Sequence, residues 1–218
     1  MTLIFPFLIL SIISYFLSIY YKVSIFKSFL LTSILISLFL IFFGKIGLLS
    51  YTIIGLNFIT IILSIFLLVK KKYNEEFILK IIYLLIIYLL LIWICNDFYF
   101  HKFDEFSEYG ITSRLIFSEN NVPSNIEYLI KGSSVKINFV SYFHYFFLKN
   151  TTLVFKEEIV YLAQSFFIII VLNVILDFIK VSFLKKILIT IIFYFIILSL
   201  GPGLDRIYMD SIIGLFIT

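Results

Sequence analysis

The sequence predicts an all-α polytopic integral membrane protein: about six transmembrane helices plus part of a seventh, and one long extracytoplasmic loop carrying an interfacial helix. Three observations predict it. The 218 residues are 62% hydrophobic and only 14% charged, with a mean hydropathy of +1.15, a composition foreign to soluble domains. The apolar residues gather in runs close to the roughly 20 that a span needs. The basic residues fall on alternate connections, as the positive-inside rule requires.

Thr2–Tyr20 is the first span; it lacks a basic leader and a small-residue cleavage site, so it is retained rather than removed as a signal peptide. Ser28–Phe43 is the second and a little short, and Ile46–Val69 is the third, with Asn57 inside it. Phe77–Cys95 is the fourth and carries Trp93, an interfacial anchor type, near its end. A polar interlude, Phe98–Glu158, separates it from the fifth span, Ile159–Ile179, and the sixth, Val181–Leu200. A further apolar run opens at Ile212, so the chain is expected to be the N-terminal part of a longer protein. The divisions are a four-span membrane region (1–96), a loop with an acidic motif (97–158) and the C-terminal spans (159–218).

Connections after the first, third and fifth spans hold Lys22, Lys27, Lys70, Lys71, Lys72, Lys80, Lys180, Lys185 and Lys186. The short connections on the other side hold only Lys45 and Arg206. The first set therefore faces the cytoplasm, and the N-terminus and the interlude face outward. Ten of the 13 acidic residues lie on that outer side. The net charge of +4 thus reports topology, and nucleic acid is excluded as a partner. Cys95 is the single cysteine, which excludes an intrachain disulfide and a cysteine-based zinc cluster. Ala163 is the only alanine among 28 Phe and 15 Tyr, a bias of AT-rich coding that strips single Phe or Ile residues of functional meaning.

Within the interlude, the spacing of Phe103, Phe106, Tyr109, Ile111, Leu115 and Ile116 fits a helix over Phe103–Asn120 lying on the membrane surface. Asp104, Glu105 and Glu108 sit in its first turn, and Asp104 and Glu108 share a face. A half-buried carboxylate there has a raised proton affinity and can act as a general base on a hydroxyl, or hold a divalent cation through oxygen ligands. The plainer alternative is a solvated helix start favoured by the helix dipole. His101, Lys102, Arg114 and Lys136 are nearby cationic groups suited to phosphate, or simply headgroup-facing residues. Asp210 follows the Gly201-Pro202-Gly203 break and opens the last apolar run, either as part of the outer site or as a helix cap. Phe139–Leu148 is aromatic and expected to re-enter the interface, with Tyr142, His144 and Tyr145 as belt-type residues. Gln164, Asn173 and Asp177 are weak signals on the fifth span, Asp177 being placed to pair with nearby lysines.

The string Phe103-Asp104-Glu105-Phe106-Ser107-Glu108-Tyr109-Gly110, then Arg114-Leu115-Ile116-Phe117 and Asn121-Val122-Pro123, resembles the outer-loop motif of bacterial polytopic GT-C-type glycosyltransferases. Glu157, Tyr161 and Gln164 are similar to that family's Glu…Gln span start, and Ile207-Tyr208-Met209-Asp210 with Gly214-Leu215 to its Tyr-Val-Asp…Gly-Leu segment. The departures are Glu108-Tyr109 in place of His-Trp and the lack of a Tyr-Pro-Pro-Gly loop. The resemblance implies a membrane transferase in the bacterial cytoplasmic membrane. It would take a polyprenyl-phosphate-linked sugar from the membrane lipid phase and pass the sugar to a cell-envelope acceptor on the outer face. Asp104 and Glu105 would be catalytic, and His101, Lys102, Arg114 and Asp210 would bind substrate. A divalent cation is the one cofactor in view. The alternatives are a transporter or flippase for an envelope lipid or solute, and a non-catalytic scaffold or remnant.

Overall fold

The computed structural model describes residues 2–70, 74–96, 110–121 and 139–199. Every regular element among them is a helix: α1 Phe5–Tyr21, α2 Ile25–Lys45, α3 Leu49–Lys70, α4 Glu75–Cys95, α5 Gly110–Glu119, α6 Phe139–Thr151, α7 Glu157–Phe178 and α8 Phe183–Ser199, with a single 3-10 turn, Thr2–Ile4, before α1. Four of them, α2, α3, α4 and α7, are long and apolar enough to cross a membrane. The helices α1 and α8 are shorter, at 17 residues each.

The starts and stops follow local chemistry. The Ser24 hydroxyl accepts from the Lys27 amide at 3.4 Å and begins α2 three residues earlier than the apolar run suggests. That lengthens the second apolar run to a 21-residue helix. Asn74 caps α4 in the same way, accepting from Phe77 at 3.2 Å, with Glu75 and Glu76 behind it in the first turn. Lys22 and Lys180 take left-handed backbone angles (φ 53° and 55°) and end α1 and α7.

The helices α1 and α2 meet through small hydroxyl residues. Ser11, Ser14 and Ser18 on α1 and Ser28, Thr32, Ser33 and Ser37 on α2 are all buried. Membrane helices associate where small residues let the backbones approach. With one alanine in the chain, Ser and Thr do that work. Five of these hydroxyls are satisfied locally or across the seam: Ser14 donates to Thr32 at 3.0 Å, Ser18 to the Val23 carbonyl at 2.7 Å, Ser33 to the Phe29 carbonyl at 2.8 Å, and Ser37 to the Ser33 carbonyl at 3.0 Å, while the Ser11 and Ser28 hydroxyls have no partner among the described residues.

The core sits around α7. Phe166 lies 5.0 Å from the Tyr88 ring and 5.7 Å from Phe7, and Phe7 lies 5.2 Å from Tyr88. Phe29 and Phe147 complete this aromatic knot, which joins α1, α2, α4, α6 and α7. Tilted and edge-on ring pairs of this kind are worth about 0.5–1.5 kcal/mol each beyond area burial. Nearer the other end, Asp177 of α7 is ion-paired with Lys186 of α8, as its position among lysines suggests. Helix α6 comes from the polar interlude, yet it packs against both α2 and α7. At 13 residues it is about 20 Å long, too short to span the roughly 30 Å hydrocarbon layer.

Candidate functional site

Of the residues that the sequence nominates, Arg114 is the one within the described residues. Asp104, Glu105, His101, Lys102 and Asp210 lie outside them. Arg114 is exposed on α5, with its guanidinium carbon 6.0 Å from the centre of the Phe155 ring. The described part of the expected surface helix is α5 itself, which directly follows the acidic string.

What the structure brings together around α5 is a buried polar chain. Ser113 of α5 meets His144 Nδ1 of α6 at 2.9 Å, and His144 Nε2 meets Gln164 Oε1 of α7 at 3.1 Å. All three side chains are buried. The Gln164 oxygen can only accept, so Nε2 carries the imidazole proton and Nδ1 accepts from the Ser113 hydroxyl. The three residues thus link three helices in one donor-to-acceptor series. A second link runs from the Tyr145 hydroxyl to Asn120 Oδ1 at 3.1 Å. Asn120 ends α5 in a left-handed conformation (φ 51°), a role Asn takes more readily than most residues. Ile116 and Phe117 of the same helix are buried.

The expected belt role of Tyr142, His144 and Tyr145 is therefore corrected: all three are buried beneath or beside neighbouring helices. An aromatic run with one His reads as interfacial only while its covering helix is unknown. Ser113 and Gln164, 31 residues before and 20 after His144, complete the pattern. Each is common alone, and the only sequence signal was two polar groups, His144 and Gln164, in otherwise apolar runs.

The electrostatics argue for a fastening. Burial pushes the His144 imidazole down to about 4, and its bond to Gln164 opposes that only in part. A general base working at neutral pH needs a proton affinity near the ambient pH. Burial likewise pushes the Tyr142 phenol up to about 12, and its hydroxyl has no partner among the described residues. Neither group exchanges protons near neutrality, so the α6 surface here is a neutral lining that holds α5 on α7. Among the described residues no group of three His, Cys, Asp or Glu side chains could hold a metal ion.

Cations gather at the far end of α6. Lys149 Nζ stands 4.1 Å from the centre of the Phe117 ring and 5.6 Å from that of Tyr145. Burial lowers its proton affinity. Lys156 pairs with Glu158 at 3.0 Å. No protein-family model matches the chain, and no characterised protein and no solved structure matches it at a significant level.

Proposed function

We propose that this chain is a membrane glycosyltransferase that moves a sugar from a polyprenyl-phosphate carrier to a cell-envelope acceptor on the outer face of a bacterial cytoplasmic membrane. In this reading the six apolar segments, the shorter α1 and α8 included, cross the bilayer, and the N-terminus and interlude lie outside. The observation that carries it is the fastening of α5 to α7 through Ser113, His144 and Gln164. Four residues separate the acidic pair Asp104-Glu105 from the start of α5, so a catalytic carboxylate there would hang from a fixed base beside the spans. Positioning of that kind supplies much of the rate in transfer reactions.

The chemistry balances without a soluble cofactor. The acceptor hydroxyl oxygen bonds to the anomeric carbon while the carbon–oxygen bond to the lipid phosphate breaks. The electron pair leaves with the phosphate, and the hydroxyl proton passes to Asp104. Glu105 sits beside it, and His101, Lys102 and Arg114 offset the charge growing on the phosphate. In the proposed topology Asp210 falls on the same side and would help to bind the acceptor. A divalent cation bound by the carboxylates would serve the same end. In membranes supplied with a polyprenyl-phosphate sugar, Asp104→Asn should lower transfer by about 10²–10⁴-fold at normal insertion. Unchanged transfer overturns the assignment.

A transporter or flippase is the second reading, and one feature favours it. Tyr83 and Asn173 meet at 3.3 Å between α4 and α7, near the Asp177–Lys186 pair. Polar groups inside a helical bundle mark transport pathways. Loss of solute or lipid movement in Asn173→Leu, with Asp104→Asn silent, would replace the transferase by this reading.

A further inference from the structure

The turn between α6 and α7 presents an apolar tip flanked in sequence by Lys149 and Lys156. Leu153 is 98% exposed and Val154 69% exposed. The tip is held in shape: the Thr152 hydroxyl donates to the Val154 carbonyl at 2.9 Å and accepts from the Val154 amide at 3.1 Å. Beside it, Phe155 meets Phe117 edge-on at 6.0 Å between ring centres. Arg114 stands over the first ring and Lys149 over the second. Two rings thus form a shelf with a cation at each end. Neither Arg114 nor Lys149 has a carboxylate partner among the described residues, while Lys156 is already paired with Glu158.

We propose that the Arg114–Phe155–Phe117–Lys149 shelf binds the anionic phosphate headgroup of a membrane lipid, with Leu153 and Val154 dipping among its acyl chains. An apolar tip that water would surround and two cations with no carboxylate partner among the described residues are awkward apart in solution. Together they match the order of an interface, with hydrocarbon beneath and phosphate above. The turn immediately precedes α7, which is long and apolar enough to cross a membrane, so the tip stands at the level of the headgroups. Aromatic faces beneath the cations hold them in place, and their N–H groups can donate to phosphate oxygens. The inference rests on the membrane placement proposed above and not on the transfer chemistry.

The test is lipid retention by the purified full chain, read by native mass spectrometry, with phosphatidylglycerol and phosphatidylcholine offered together. The wild-type chain should keep phosphatidylglycerol preferentially, and the preference should fall as salt rises from 50 to 500 mM. Each basic residue near an anionic lipid is worth ~5-fold in affinity. Arg114→Gln with Lys149→Gln should therefore weaken the preference by about 25-fold, whereas Arg114→Lys with Lys149→Arg should keep most of it. Leu153→Asp should shorten retention of both lipids. Inorganic phosphate at 10 mM should not compete, because it lacks the acyl anchor; competition by it would overturn the lipid assignment in favour of a free-phosphate site. A wild-type preference that is absent or indifferent to salt also overturns the proposal, even if the variants fail to fold. So does occupation of the tip by a second copy of the chain, seen as a dimer that Leu153→Asp dissolves. Retention is read without any transfer assay, so the transferase reading can fail while this one stands.

Discussion

Helices α3 and α7 have the same length, 22 residues, and equal mean hydropathy, yet 11% of the apolar window of α3 is buried against 89% of that of α7. The difference lies in how their polar groups are satisfied. On α3 the Thr52, Thr60 and Ser64 hydroxyls each donate back to the carbonyl four residues earlier, at 2.8–2.9 Å. Such groups need nothing outside their own helix and tolerate a lipid-facing wall. On α7 two polar side chains also meet other helices: Gln164 meets His144 on α6, and Asn173, whose amide donates to the Ile169 carbonyl one turn back, accepts from Tyr83 on α4. A helix whose polar groups point outward for partners must be enclosed by them. What encloses α7 on one side is α6, a piece of the polar interlude folded back into the bundle.

The comparison breaks first at the aromatic knot. Phe166→Ala on α7 opens a cavity among Phe7, Phe29, Tyr88 and Phe147, and should cost about 3–5 kcal/mol. Phe58→Ala on α3, where the side chain is 63% exposed, should stay within about 0.5 kcal/mol. Reversible unfolding in mixed micelles compares the two, and equal losses would erase the distinction between the helices.

A smaller effect should follow at His144. His144→Leu removes one hydrogen bond each from the buried Ser113 and Gln164 and should cost about 1–3 kcal/mol. The same residue gives stability a pH dependence. Its affinity for protons is lower folded, about 4, than the ordinary 6.5 of the unfolded chain. The unfolded state therefore binds the proton first. The stability associated with His144 is full above pH 6.5 and is lost as pH falls toward 4. In His144→Gln the slope across that window should flatten, as unfolding midpoints at pH 7, 6 and 5 would show.

The smallest effects belong to single inter-helix bonds. Asn173→Leu removes the acceptor that the Tyr83 hydroxyl meets on α7, and such bonds average about 0.6 kcal/mol between membrane helices. Asn57→Leu on α3 should be neutral or slightly stabilising, because the Asn57 side-chain oxygen has no partner among the described residues. A loss at Asn57 larger than at Asn173 would sharpen the matter against α7 as the organising helix.

Much of the helix content was legible in the sequence because apolar runs near 20 residues leave few other solutions. Boundaries moved by a few residues wherever a cap lay outside the run, as with Ser24 and Asn74. Burial was not legible: hydropathy measures what a segment avoids, and lipid and protein neighbours satisfy it equally. The α3–α7 contrast is the plainest instance. Nor was the His144 fastening legible, since its three members come from three segments and none belongs to a spacing motif. The nominated acids Asp104, Glu105 and Asp210 follow from sequence pattern, and in the described residues only Arg114 stands for that group.

The interlude is built into the bundle through a neutral, doubly bonded His144. Ring-nitrogen NMR of the full chain labelled with ¹⁵N-histidine tests it most directly. With His101 replaced by Gln, one imidazole remains, since the chain has only these two histidines. The expected spectrum is a single neutral tautomer with the proton on Nε2, unchanged from pH 8 to pH 5 and titrating near 4. Mixed tautomers titrating freely near the ordinary 6.5 would mean that His144 faces solvent, and that α5 and α6 are not fastened to α7.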